Sequence, residues 1–170
     1  CMINRAKLFN ISDYDHIMFS YHGIPERHVD KVYLDGKPCA DHSCEDEINA
    51  ENANCYKATC YATTRLLVKE LKLEQGTYST CFQSRLGRDP WLMPYTDLTI
   101  EKLGKEGKKK ILVFSPAFVA DCLETTIEIG EEYLELFQEN GGEVLQLVPS
   151  LNDDEDWAKG LFKIIQEKTS

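Results

Sequence analysis

The chain has no long apolar run, no surplus of basic residues and no internal repeat. Nothing in its 170 residues approaches the ~18–20 consecutive apolar residues of a spanning helix, and no secretory leader pattern is visible. Lys and Arg number 19 against 29 Asp and Glu, for a net charge of −10. The basic footprint that phosphate binding needs is therefore missing, which argues against a nucleic-acid partner. The negative charge does not exclude peripheral membrane association, because a small apolar lip can dock while the rest of the surface is repelled. An initiator Met is also lacking: the chain opens on Cys1 and runs quickly into a strand, which suggests a piece of a longer protein. Seven cysteines are many, yet nothing else points to secretion, so they are not read as a disulfide framework.

What is present is a globular composition, 42% hydrophobic and 28% charged, with length for one domain and a real core. Strands are predicted at 15–21, 77–83, 110–114 and 143–148, and helices at 56–73, 96–105, 121–140 and 153–167. The third strand is the clearest. Helix 121–140 is expected to turn Leu123, Ile127, Leu134 and Phe137 to the core and to end at Gly141-Gly142. The last helix is expected to point Trp157, Leu161 and Ile164/Ile165 inward. Four strand–helix alternations predict an α/β fold with a mostly parallel sheet. Residues 23–54 are polar, irregular and too long for an ordinary connection.

Two segments place a proton- or metal-capable side chain just past a strand. One is Ser20-Tyr21-His22-Gly23-Ile24-Pro25; the other runs from Ser115 to Thr126 and contains Glu124. Groups beyond the carboxyl ends of parallel strands meet in one crevice, here an imidazole and a carboxylate. Gly23 and Pro25 turn the chain out of the sheet and present His22 at its edge. Imidazole is a general base near neutral pH and a ligand for ferrous iron, although a lone His is more often structural. Asp121-x-x-Glu124 has capping-box spacing, the plainer reading of Glu124. The sharper reading is that a helix N-terminus keeps Glu124 ionised and able to attract a cation. Glu128, then Glu131 or Glu132, continue that face toward a metal path or merely toward solvent.

The loop from Gln83 to Pro94 mixes Trp91, Met93 and two arginines, suited to a flat aromatic ligand with carboxylate arms or to a surface loop around a half-buried Trp. Cys39, Cys44, Cys55 and Cys60 cluster within 22 residues. That density suits an iron–sulfur cluster or structural zinc, with unligated thiols as the plain alternative.

Taken in order, three segments resemble the C-terminal half of the ferrochelatase family: Phe19 to Arg27, Phe82 to Asp97, and Pro116 to Thr125. The resemblance implies a chelatase-like (Rossmann-like) three-layer α/β/α domain with a four-stranded parallel sheet, spanning 1–170, with a Cys-rich insertion at 34–60 and the N-terminal domain absent. It implies insertion of Fe(II) into a porphyrin, protoporphyrin IX or coproporphyrin III, by a lyase of haem biosynthesis in a bacterial cytoplasm, with peripheral membrane association allowed. His22 would take pyrrole protons and contact the metal, and Glu124 would be its partner. Asp121 would be a neighbouring acidic position and Glu128 the next rung. Tyr21, Trp91 and Met93 would contact porphyrin. Some family members carry a [2Fe–2S] cluster, for which Cys39, Cys44, Cys55 and Cys60 would be the ligands, with zinc as the alternative. The fragment is expected to be inactive without the N-terminal domain. Two other readings are a half-size cobalt or sirohydrochlorin chelatase that pairs two copies, and a non-catalytic iron–sulfur module.

Overall fold

A computed structural model describes residues 1–169. Four strands form one sheet: β1 (His16–His22), β2 (Tyr78–Gln83), β3 (Lys110–Phe114) and β4 (Val144–Leu147). Their order is β2-β1-β3-β4, and every pairing is parallel. Six of the seven β1 residues are buried, as expected where helices cover both faces of a parallel sheet.

Strand alternation divides the core in two. Ile17, Phe19 and Tyr21 of β1 join Leu112 and Phe114 of β3 on one face, under α3 (Tyr56–Leu71), which contributes Ala58, Cys60 and Leu67. Phe19 and Phe114 stack there at 5.2 Å between ring centroids. On the other face, Met18, Cys81, Ile111 and Val113 pack with Ile100 and Leu103 of α4 (Thr96–Lys105) and Phe137 of α5 (Tyr133–Glu139). The three-layer α/β architecture is therefore as expected. Gly104 lets α4 approach closely, since a Cβ there would lie 2.8 Å from the Asn140 carbonyl oxygen.

Four local expectations are corrected. β1 extends through His22, so that residue ends the strand instead of following it. The helix expected from Asp121 starts at Glu124 and is a π-helix over Glu124–Glu132 before it becomes α5. Asp121 does not cap it: its carboxylate accepts from Asn152 Nδ2 at 2.9 Å, and the Cys122 N–H donates to Thr125 Oγ1 at 3.0 Å instead. The wider winding turns Thr125 and Ile129 into the core and leaves Leu123 74% and Ile127 36% exposed. Such π segments concentrate at functional sites.

The fourth correction concerns the last helix, α6 (Glu155–Thr169), which Asp154 caps through the Trp157 N–H at 3.1 Å. It has no buried residue; Leu161, Phe162, Ile164 and Ile165 are all exposed. The apolar stripe is real, but among the described residues nothing covers it.

A short helix, α1 (Met2–Ala6), precedes β1, and the segment between β1 and α3 is ordered around α2 (Glu26–Asp30) and a 3₁₀ turn at Cys39–His42. Cys39, Cys44 and Cys55 are buried within it.

Candidate active site and thiol centre

The carboxyl ends of β1 and β2 meet in register, His22 opposite Gln83. Counting alternate positions from Met18 and Ser20 puts the His22 side chain on the face that carries the π-helix, and Tyr21 on the other. An open depression of about 440 Å³ lies there, lined by His22, Ser84, Arg85, Leu86, Leu123, Glu124, Ile127, Glu128 and Glu132. The predicted imidazole and both predicted carboxylates therefore share one site.

The His22 ring sits between the Trp91 ring, 6.4 Å away, and the Phe118 ring, 6.0 Å away. Its Nδ1 lies 2.5 Å from the Gly23 carbonyl oxygen. A carbonyl oxygen only accepts, so Nδ1 carries the hydrogen and Nε2 keeps a lone pair in the neutral ring. Gly23 is required there: a Cβ would stand 2.9 Å from the Gln83 carbonyl oxygen and 3.2 Å from Trp91.

Glu124 is partly exposed. Its own backbone N–H, the Cys122 thiol and the charge of His22 together hold its carboxyl below the usual glutamate range. Glu128 is different, because its two oxygens accept four hydrogen bonds. Ser84 gives two, from N–H at 2.8 Å and from Oγ at 2.5 Å; Tyr133 Oη gives one at 2.6 Å and Gln83 Nε2 one at 3.1 Å. Burial and the Glu128 carboxylate push the Tyr133 phenol up, so it remains a donor.

Buried Gln83 organises the corner. Ser20 Oγ donates to its Oε1 at 2.8 Å, and its Nε2 also donates to the Glu124 carbonyl oxygen at 2.7 Å. Ser84 holds a left-handed backbone, φ +63°, a strained conformation of the kind stored at functional sites. Sequence reasoning placed Gln83 at the end of the second strand and Ser84 at the start of the loop after it, and gave neither a role of its own. Their signal was position, since the end of the strand beside β1 has to face the same crevice.

The other predicted ligand contacts separate. Trp91 flanks the depression. Tyr21 does not reach it: it is 2% exposed, and its hydroxyl meets Thr64 Oγ1 at 2.9 Å beneath α3. Strand parity alone excludes it from the His22 face. Met93 is exposed but lines a different cavity of about 750 Å³, with Cys39, Tyr95 and Leu98. Apolar groups that do rim the depression are Leu86, Leu123 and Ile127. The loop arginine Arg85 is engaged, stacking 4.2 Å from the Tyr95 ring centroid and bonding Asp97 at 2.8 Å.

A second centre lies in the segment between β1 and α3. The sulfurs of Cys39, Cys44 and Cys55 all lie within 4.8 Å of one another, with separations of 3.3, 3.5 and 3.8 Å. Tyr33 Oη is 2.6 Å from Cys44 Sγ, and its ring stacks on His42 at 3.7 Å. Hydrogen bonds, from Cys39 above all and also from the Ala58 N–H at the start of α3, push the Cys55 thiol down to about 5. Hydrogen bonding to Cys55 and burial push Cys39 up. One thiolate beside protonated thiols is a ready soft-metal donor set. Cys60 is not in the trio; burial pushes its thiol up to about 12 beside Tyr56. Three of the four expected ligands therefore converge, which fits a metal centre in three of its protein positions.

The Ferrochelatase family model matches residues 2–169. A ferrochelatase of Pseudomonas fluorescens (strain SBW25) is 47% identical over 162 residues, covering 94% of this chain and 48% of that protein. A ferrochelatase of Pseudomonas putida (strain W619) is 42% identical, covering 98% of this chain and 50% of that protein. The chain thus spans about half the length of the curated relatives it matches. Among solved structures, a CbiX protein from Marinobacter aquaeolei VT8 aligns with a TM-score of 0.48 and 12% identity, covering 91% of this chain and 96% of that one.

Proposed function

The chain belongs to the ferrochelatase family, and from that premise we propose that the full-length protein inserts Fe(II) into a porphyrin in haem biosynthesis. The observation that carries this reading is the depression itself. An imidazole with a free Nε2 and an ionised, partly exposed glutamate face one apolar-rimmed hollow at the carboxyl edge of the sheet.

The chemistry divides accordingly. A porphyrin must lose two pyrrole protons as the cation enters. His22 Nε2 is the acceptor, a role worth about 10²–10⁴-fold in rate for a positioned base. Glu124, whose carboxylate accepts only from its own N–H and the Cys122 thiol, offers its remaining lone pairs to the incoming Fe(II). Glu128 is the next rung, but its oxygens are committed to Gln83, Ser84 and Tyr133, so it contributes negative charge more than open coordination. Trp91, Leu86, Leu123 and Ile127 supply apolar contacts to the macrocycle. Binding there in a bent shape exposes the nitrogen lone pairs at a strain cost that remote contacts offset. The substrate is protoporphyrin IX or coproporphyrin III. The half of the relatives' length that this chain does not span completes the cleft, so the 1–170 piece alone is expected to lack insertion activity. In this reading the protein works in the cytoplasm, with peripheral membrane association allowed. Among the described residues no helix is long and apolar enough to cross a membrane.

In this reading Cys39, Cys44 and Cys55 would hold a resident metal centre, zinc or a [2Fe–2S] cluster, and Cys60 stands outside the trio. Bound there, that centre would tie the insertion to α2 and α3 and contribute to folding.

The deciding experiment is insertion kinetics on the full-length protein. His22→Ala abolishes chelation while porphyrin binding and thermal stability persist. Near-normal turnover by that variant would refute the assignment.

A further inference from the structure

The thiol centre and the depression are joined by one hydrogen bond. Tyr56, the first residue of α3, follows Cys55 directly, and its hydroxyl donates to the His22 carbonyl oxygen at 2.8 Å. The peptide between His22 and Gly23 is thereby held at both polar atoms, because the Gly23 N–H donates to the Gln83 carbonyl oxygen at 2.8 Å. Fixing that plane fixes where the next carbonyl points. The next carbonyl is that of Gly23, which accepts from His22 Nδ1 at 2.5 Å. Gly23 has little room to adjust, with the Gln83 carbonyl and the Trp91 ring closing in on it. Nothing else on α3 reaches this peptide by a hydrogen bond among those found in the described residues.

We propose that Tyr56 is a positioning residue for His22: through the clamped His22–Gly23 peptide it holds the imidazole in the Nδ1–H tautomer, with Nε2 open to the depression. Tyr56 does not line the depression and touches no reacting atom. The inference rests on His22 being the proton acceptor, but its readout does not depend on turnover. The plainer alternative is a tyrosine that only fills the gap between α3 and β1.

Tyr56→Phe in the full-length protein keeps the ring and removes only the bond. The loss of one hydrogen bond of ordinary strength corresponds to a fall in kcat of about 10-fold. KM for porphyrin should stay within about twofold, since uniform binding is untouched. The decisive signature is the ¹⁵N NMR pattern of the His22 imidazole, assigned by its disappearance in His22→Ala. It should move from the Nδ1–H pattern toward a mixture of tautomers. A variant whose His22 tautomer is unchanged overturns the proposal, whatever its rate. Gly23→Ala disturbs the same peptide from the β2 side and provides a second test: an unchanged tautomer there means that peptide geometry does not set the ring. If His22→Ala kept activity while Tyr56→Phe still shifted the tautomer, the base assignment would fail and the positioning role would stand.

Discussion

β1 carries a histidine at each end, and the two could hardly differ more. His16, at the amino end, is 6% exposed; its Nε2 meets Ser79 Oγ at 3.0 Å and its Nδ1 is buried without a partner. Burial, chiefly, pushes its pKa down to about 4, so it is a neutral structural group near pH 7. His22, at the carboxyl end, is half-buried and lines the depression beside Glu124. The side chain is the same and so is the strand. What separates them is the polarity of a parallel sheet, whose carboxyl edge is where strands release the chain into site-forming loops. Residue type names a candidate, and strand direction decides which candidate can act.

The sharpest way to break this comparison is to remove each ring in the full-length protein. His22→Ala should cost about 10²–10⁴-fold in kcat and leave the thermal midpoint almost unchanged, because that ring holds little core. Glu124→Gln should cost less, about 10–100-fold, the scale of a lost charge-assisted contact of about 1.5–3 kcal/mol. Because Glu124 is partly open to solvent, that loss should shrink as salt rises. Cys44→Ser tests a region outside the comparison: metal per chain should fall toward zero, while residual insertion exceeds that of His22→Ala. Iron and sulfide near two each in the parent protein would identify a cluster there; one zinc without sulfide would identify the alternative.

Much of this was legible in the sequence, and the failures have physical causes. The four strands and their α/β order follow from short apolar runs between helical periodicities, and His22 and Glu124 follow from their positions at strand ends. Tyr21 was misplaced although the same alternation that puts His22 in the depression puts Tyr21 under α3. The π-helix at Glu124–Glu132 was not legible, because the residue pattern there suits an α-helix as well. Its winding is secured by tertiary bonds from Gln83 and Ser84, forty residues earlier in sequence. For α6 the stripe was readable but its partner was not, since periodicity shows that a face is apolar and not what covers it. The thiols show both sides: their density announced a centre, while which three converge depends on the fold of the segment between β1 and α3.

The smallest effect tests the quieter histidine. His16 has a folded pKa of about 4, below its unfolded value of about 6.5. Between those values the unfolded chain binds the extra proton, so stability rises with pH through this window. The contribution is fully present above pH 6.5 and is lost as pH falls toward 4. At pH 5 the deficit from this group is on the order of 1–2 kcal/mol relative to pH 7. His16→Gln, which cannot charge, should therefore flatten the decline in thermal midpoint between pH 7 and pH 5 while leaving insertion kinetics at pH 7 within about twofold of the parent. An equally steep decline in His16→Gln would assign the acid sensitivity to the carboxylates instead. A large loss of kcat at pH 7 would show that the amino end of β1 reaches the chemistry after all, and strand polarity would no longer separate the two histidines.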